Sequence, residues 1–84
     1  MKSEYNFVEI STRLKEYMGG VTQEQQLHMY GLYKQANHGD APEKKPGNRV
    51  EQIKWEAWRQ RKGMSQKNAQ DEYVRIANFF LNNL

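Results

Sequence analysis

The chain of 84 residues has no cysteine, only two prolines, and no long apolar run. Without cysteine there are no disulfide staples, no iron–sulfur cluster, no CxxC redox pair and no thiolate zinc site, so stability has to come from packing. The most apolar stretch, IANFFL from Ile76 to Leu81, is far below the roughly 20 residues needed to cross a bilayer. The first residues, MKSEYNFVEI, interrupt their apolar positions with charges and hold no signal-peptide core. These absences predict a soluble protein of the cell interior, placed in the cytoplasm, with no stable membrane insertion.

Catalytic signals are equally thin. There is no GxxxxGK[ST] phosphate loop and no GxGxxG turn, so any phosphate site has to be built from side chains on separate helices. Ser11, Thr22 and Ser65 have no evident His and acid partners, and Thr22 and Ser65 read better as helix caps. His28 and His38 match no compact helical metal pair, and His38 with Asp40 lacks a nearby third ligand. The expectation is no catalytic residue, no metal and no cofactor: a binding protein, not an enzyme.

What is present is enough to fold. One small domain, residues 1–84, is expected from a length below the usual 100 to 200 or so. Five Tyr, three Phe and two Trp supply an efficient core for so short a chain. The net charge of +3 conceals an uneven distribution: Lys44 to Lys67 carries +6, and the remainder −3. A basic middle on an acidic remainder suits an anionic partner of limited extent, and equally an ordinary solvated helix face.

Periodicity and capping residues predict four helices and no strand. Ser3 is placed to cap the first, with Phe7, Ile10, Leu14 and Tyr17 or Met18 on one side and Gly19-Gly20 as its stop. Thr22 with Gln25 forms a capping box for the second, which carries Leu27, Tyr30 and Lys34 and ends at His38-Gly39-Asp40. A loop of roughly ten residues through Pro42 and Pro46 follows. The third helix is expected from about Val50 to Lys62, with an apolar row of Ile53 and Ala57, a second row of Trp55 and Trp58, and Gly63 just past its end. Ser65 caps the fourth, whose stripe is Ala69, Tyr73, Ile76 or Ala77, Phe80 and Leu84.

The strongest constellation is YGLYKQANHGD, Tyr30 to Asp40. Tyr30, Tyr33 and Lys34 fall at i, i+3 and i+4, which puts two rings and an ammonium on one helical face. Amphipathic rings suit a partly wet groove, and a Lys meets phosphate as a point charge, yet core packing with exposed hydroxyls fits the rings as well. Gly31 in mid-helix costs about 1 kcal/mol relative to Ala unless something approaches closely. Lys15 and Lys54, taken singly, read as surface lysines. Trp55 and Trp58 read as large core members, and Tyr73 as core or as a stacking platform, between which periodicity does not decide.

Four blocks in order, YGLYKQANHGD, Pro46-Gly47, KWEAW at Lys54 to Trp58 and KGMSQKNAQDEY at Lys62 to Tyr73, resemble the acyl-CoA-binding protein family over almost the whole chain. The resemblance implies an all-α four-helix bundle with up-down-down-up connectivity that binds long-chain acyl-CoA thioesters and does not hydrolyse them. It implies a monomeric intracellular carrier and pool buffer that serves acyl-CoA-using enzymes and binds no nucleic acid. Carried over by residue, its ligand surface falls on Lys15, on Tyr30, Gly31, Leu32, Tyr33 and Lys34, on Lys54 and on Tyr73. The resemblance puts Lys34 and Lys54 at the 3′-phosphate region and Tyr73 against adenine. Ile10, Leu27 and Met29 are the expected lining of an acyl groove.

Two departures from the family pattern stand out. NRVEQI supplies six residues between Gly47 and Lys54, where relatives have a longer run with a further basic contact, and Arg49 is the candidate to replace that contact. Val21-Thr22 stands where relatives have Pro before the capping residue, which keeps the cap and alters stiffness. The rival to a carrier is a small basic helical module that binds nucleic acid or protein through Lys44 to Lys67. Glu51 and Glu56 inside that region, and the acidic remainder, weigh against nucleic acid.

Overall fold

The computed structural model describes residues 6–16 and 21–82 of the chain. They form four helices: α1 Phe7–Lys15, α2 Gln23–His38, α3 Arg49–Arg59 and α4 Gln66–Asn82. Among the described residues there is no strand, and no helix is long and apolar enough to cross a membrane. The expected all-α, four-helix class is what the chain adopts.

Local chemistry explains where the helices begin. In α2 the Thr22 hydroxyl accepts from the Gln25 N–H at 3.0 Å while Gln25 Oε1 accepts from the Thr22 N–H at 2.8 Å. Each side chain thus satisfies an orphan donor of the first turn. Ser65 Oγ accepts from the Asn68 N–H at 3.0 Å before α4, and Asn48 Oδ1 accepts from the Glu51 N–H at 3.1 Å before α3. The expectation that Ser3 caps α1 is corrected. Asn6 is the cap, with its Oδ1 2.8 Å from the Glu9 N–H and the Glu9 carboxylate reaching back to the Asn6 N–H. Ser3, Tyr17, Met18, Gly19, Gly20 and Leu84, named in the expected first and fourth helices, lie outside the described residues.

The third helix also departs from expectation, ending at Arg59 and not at Lys62. Residues 60–63 continue as a tighter turn, with Arg61 N–H on Trp58 O at 2.9 Å and Lys62 N–H on Arg59 O at 3.0 Å. Gly63 sits at the end of this turn with φ of 90°, a conformation that disfavours any residue with a Cβ.

Helix α2 is central and packs on both α3 and α4, while α1 packs on α4. Residue pairings give the directions. Tyr30 meets Lys54, Gly31 meets Ala57 and Lys34 meets Trp58, so α2 and α3 run parallel. Ala36 meets Gln66 and Tyr33 meets Tyr73, so α4 runs antiparallel to α2. Parallel neighbours need a long return, which is why ten residues, 39–48, separate α2 from α3.

The core is Ile10 and Leu14 of α1, Met29 and Leu32 of α2, and Tyr73 and Ala77 of α4. Helix α3 contributes little to it. Ile53 is 41% exposed and Val50 63%, so the expected row of Ile53 with Ala57 is not a core stripe. The tryptophans anchor the loop instead: Trp55 Nε1 donates to Pro42 O and Trp58 Nε1 to Gly39 O, each at 2.8 Å. Gln35, fully buried, donates through Nε2 to Asp40 Oδ1 and to Met64 O, both at 2.8 Å. The same Asp40 oxygen accepts the Gly63 N–H at 2.9 Å. One side chain and one carboxylate thereby tie the end of α2 to the turn before α4.

Candidate functional site

Three helices bring side chains to one cavity of about 330 Å³. Helix α1 supplies Ser11 and Lys15, α2 supplies Gln26, Met29, Tyr30, Tyr33 and Lys34, and α4 supplies Tyr73. A second hollow of about 290 Å³ adjoins it, lined by Gln23, Gln26, Leu27, Tyr30 and, from α3, Lys54. Tyr30 and Gln26 belong to both linings. Neither lining, among the described residues, contains a carboxylate.

Helical spacing produces this face. Gln23, Gln26, Leu27 and Tyr30, then Tyr33 and Lys34, follow one another at steps of three and four along α2, so their side chains share one side of the helix. The rings form a cluster with Phe7. Phe7 stacks on Tyr33 with centroids 5.7 Å apart, meets Tyr73 edge-on at 5.2 Å, and Tyr33 tilts against Tyr73 at 6.0 Å. Tyr73 is only 5% exposed, and burial, with a smaller effect of Tyr33, pushes its phenol up to about 12. It belongs to the core and to the cavity wall at once; Tyr33, half-buried, presents the more open ring.

The cations are held in place by rings. Lys34 Nζ lies 4.9 Å from the Trp58 ring centroid, and Lys54 Nζ lies 5.4 Å from that of Tyr30. Such contacts at exposed sites are worth about 0.5 to 1 kcal/mol, enough to orient an ammonium without neutralising it. Lys54 also lies 3.8 Å from Glu51, a pair in which both side chains are largely solvated and hence weakly bound. Lys15, at the last turn of α1, is exposed. Three ammonium groups from three helices therefore border the two adjoining hollows.

Of the residues named from sequence, Lys15, Met29, Tyr30, Tyr33, Lys34 and Tyr73 meet in the first cavity, and Leu27 and Lys54 in the second. The others go elsewhere. Leu32 and Ile10 are fully buried in the core. Gly31 faces α3: a Cβ there would stand 2.3 Å from Ala57 O, so its absence permits the two helices to touch. Arg49 lines a separate hollow with Lys45, Gln52, Ile53 and Glu56 that shares no residue with either of these two. Ser11, Gln26 and Phe7 were missed, although the first two stand four residues before Lys15 and Tyr30, which is one helical turn.

A larger hollow of about 500 Å³ lies along the α2 and α3 seam, lined by Glu24, Leu27, His28, Ile53, Glu56, Ala57, Gln60 and Arg61. Its two carboxylates oppose an anionic ligand, and among the described residues it has no phenol or indole ring for a base. His28 is held below its usual value by partial burial and by Arg61, against the opposing pull of Glu72. Among the described residues no three His, Asp or Glu side chains gather as metal ligands.

Comparisons with known proteins point to one family. The profile of the family described as Acyl CoA binding protein matches residues 4–77. The Acyl-CoA-binding protein 2 of Saccharomyces pastorianus is 52% identical over 50 residues, 57% of this chain and 58% of that protein. The match thus spans less than two thirds of that relative's length. The acyl-CoA-binding protein of Ricinus communis is 35% identical over 71 residues, covering 82% of this chain and 79% of its own. The crystal structure of Oryza sativa Acyl-CoA-Binding Protein 2 superposes with a TM-score of 0.86 at 32% identity, over 92% of this chain and 88% of that one.

Proposed function

The chain belongs to the acyl-CoA-binding protein family, and from that premise we propose that it binds long-chain acyl-CoA thioesters without hydrolysing them. The observation that carries this reading is the convergence of Lys15, Lys34 and Lys54 from three helices on two ring-walled hollows whose linings, among the described residues, hold no carboxylate. Coenzyme A carries several phosphate charges and an adenine ring, so separated cations and aromatic faces are its complement. Lys34 and Lys54 stand on either side of Tyr30 and serve the phosphates. In place of Tyr73, expected against adenine but only 5% exposed, Tyr33 presents the accessible ring face to adenine, and Tyr73 backs it from the core. The acyl chain takes the apolar remainder, over Met29 and past Tyr30 and Gln26 to Leu27.

The tail dominates the affinity. Sixteen carbons at about 0.8 kcal/mol per methylene offer on the order of 12 kcal/mol of gross driving force before ordering costs. Exposed ion pairs offer at most about 1 kcal/mol each. Such a site suits a carrier, and in this reading the protein is a cytoplasmic monomer that buffers acyl-CoA and hands it to the enzymes that use it.

A calorimetric titration with palmitoyl-CoA and with free CoA tests this. Palmitoyl-CoA should bind far more tightly. Equal affinities would remove the acyl groove from the account, and no heat with either would reject the function.

A further inference from the structure

The first cavity contains a buried hydroxyl whose proton is already in use. Ser11 lines that cavity and is only 8% exposed. Its Oγ donates to Val8 O at 2.9 Å, in the preceding turn of α1, so what it offers the cavity is the oxygen's capacity to accept. Among the described residues no donor meets that oxygen. The other polar groups of the lining are of different kinds. Lys15 and Lys34 only donate, while the Gln26 amide and the three phenols carry both a donor and an acceptor.

The position of Ser11 along α1 indicates which ligand group it meets. Phe7, Ser11 and Lys15 follow one another at steps of four, so they share one side of the helix. Phe7 stacks on Tyr33 with centroids 5.7 Å apart, and Tyr33 lines the same cavity as Ser11. The ligand's phosphates only accept, which suits the lysines. The 6-amino group of adenine only donates, and it is carried by the ring that Tyr33 faces. We propose that Ser11 is the base-selecting residue of this protein: its Oγ accepts a hydrogen bond from the 6-amino group of an adenine lying on Tyr33. This rests on the acyl-CoA reading above and assigns one oxygen within it. A base without that amino group leaves the Ser11 oxygen cut off from water with no donor, which costs affinity.

The test is a calorimetric titration of palmitoyl-CoA, and of its analogue whose purine carries hydrogen in place of the 6-amino group, into the unchanged protein and Ser11→Ala. Alanine favours the helix, and Val8 O keeps the Thr12 hydroxyl at 3.2 Å, so the variant should fold; far-UV circular dichroism and a thermal melt check this. The unchanged protein should prefer the adenine form, and Ser11→Ala should shrink that preference roughly two- to tenfold. Stacking on Tyr33 changes alike in both proteins, so the ratio isolates the hydroxyl. Free CoA, which carries the base without the tail, should weaken by the same factor in Ser11→Ala. No preference for the adenine form in the unchanged protein would overturn the inference. An equal preference in both proteins would overturn it too, even with both ligands weakened, because the hydroxyl would then meet another part of the ligand such as a pantetheine amide. Both of these results leave acyl-CoA binding by the unchanged protein intact, whereas its failure to bind either palmitoyl ligand rejects both readings.

Discussion

Along α2, Tyr30, Tyr33 and Lys34 turn toward the hollows, whereas Gly31, Gln35 and, past the helix end, Asp40 turn into the seam with α3 and the turn before α4. The two sets interleave within eleven residues of sequence, yet their surroundings differ. On the cavity side the side chains meet rings and open space. On the seam side they meet backbone: Ala57 O against Gly31, Met64 O against Gln35, the Gly63 N–H against Asp40. A neighbouring side chain adapts to a new partner by changing rotamer, but backbone moves only with its whole helix. Changes on the seam side should therefore appear in stability, and those on the cavity side in affinity.

The largest effect that separates the two sides is expected at Gly31. A Cβ lies 2.3 Å from a carbonyl oxygen of α3, so Gly31→Val has to push the helices apart, at about 3 kcal/mol or more. For a domain of this size that corresponds to a loss on the order of 15 °C in melting temperature. A melt that coincides with the unchanged protein would show that α2 and α3 do not approach this closely.

Tyr73 straddles the division. Its phenol titrates at about 12 against an ordinary 10. Between those values the unfolded chain gives up a proton that the folded chain keeps. Its contribution to stability is thus complete below pH 10 and is lost as pH rises to 12, for a total of about 3 kcal/mol. Tyr73→Phe keeps the ring and removes the ionisation, so denaturant titrations from pH 9 to 12 should show a shallower alkaline decline in that variant. Identical pH profiles would place the hydroxyl in contact with water in the folded state.

Much of the framework was legible because it is local. The capping box of Thr22 with Gln25 and the Ser65 cap of α4 are encoded within a few residues and appear as read. The cap of α1 is Asn6, with Glu9 three residues on to complete a reciprocal pair, a local signal that the reading of Ser3 as cap did not use. The end of α3 was misplaced for a different reason. The Gly63 N–H is taken by Asp40, 23 residues earlier, and helical spacing carries no information about such a partner. Ile53 has the spacing of a core residue, yet α3 rests on the loop through its tryptophans and leaves Ile53 partly in water. In the site, the i, i+3, i+4 rule located Tyr30, Tyr33 and Lys34 but said nothing of which faces of different helices meet. Hence Gly31 and Leu32, carried in the same block, turned out to pack away from the hollows, and Gln26 was overlooked.

The smallest effect on stability is expected from the cations, and Lys34 tests the division most finely because its ammonium rests over Trp58, whose indole secures Gly39 O. Lys34→Gln removes a contact worth about 0.5 to 1 kcal/mol, so the melting temperature should fall by no more than about 6 °C. Palmitoyl-CoA affinity should fall about fivefold, as for one partly solvated charge contact. Its dependence on salt should also become shallower, because one fewer ammonium is left to be screened. Lys15→Gln is the control: Lys15 lines the same cavity and, among the described residues, rests on no anchoring ring, and its removal should weaken binding comparably while leaving the melt nearly unchanged. If Lys34→Gln lowers the melting temperature as far as Gly31→Val does, then Trp58 depends on the ammonium to hold its place. In that event the cavity side and the seam side of α2 are one cooperative unit, and the separation of affinity from stability along this helix is lost.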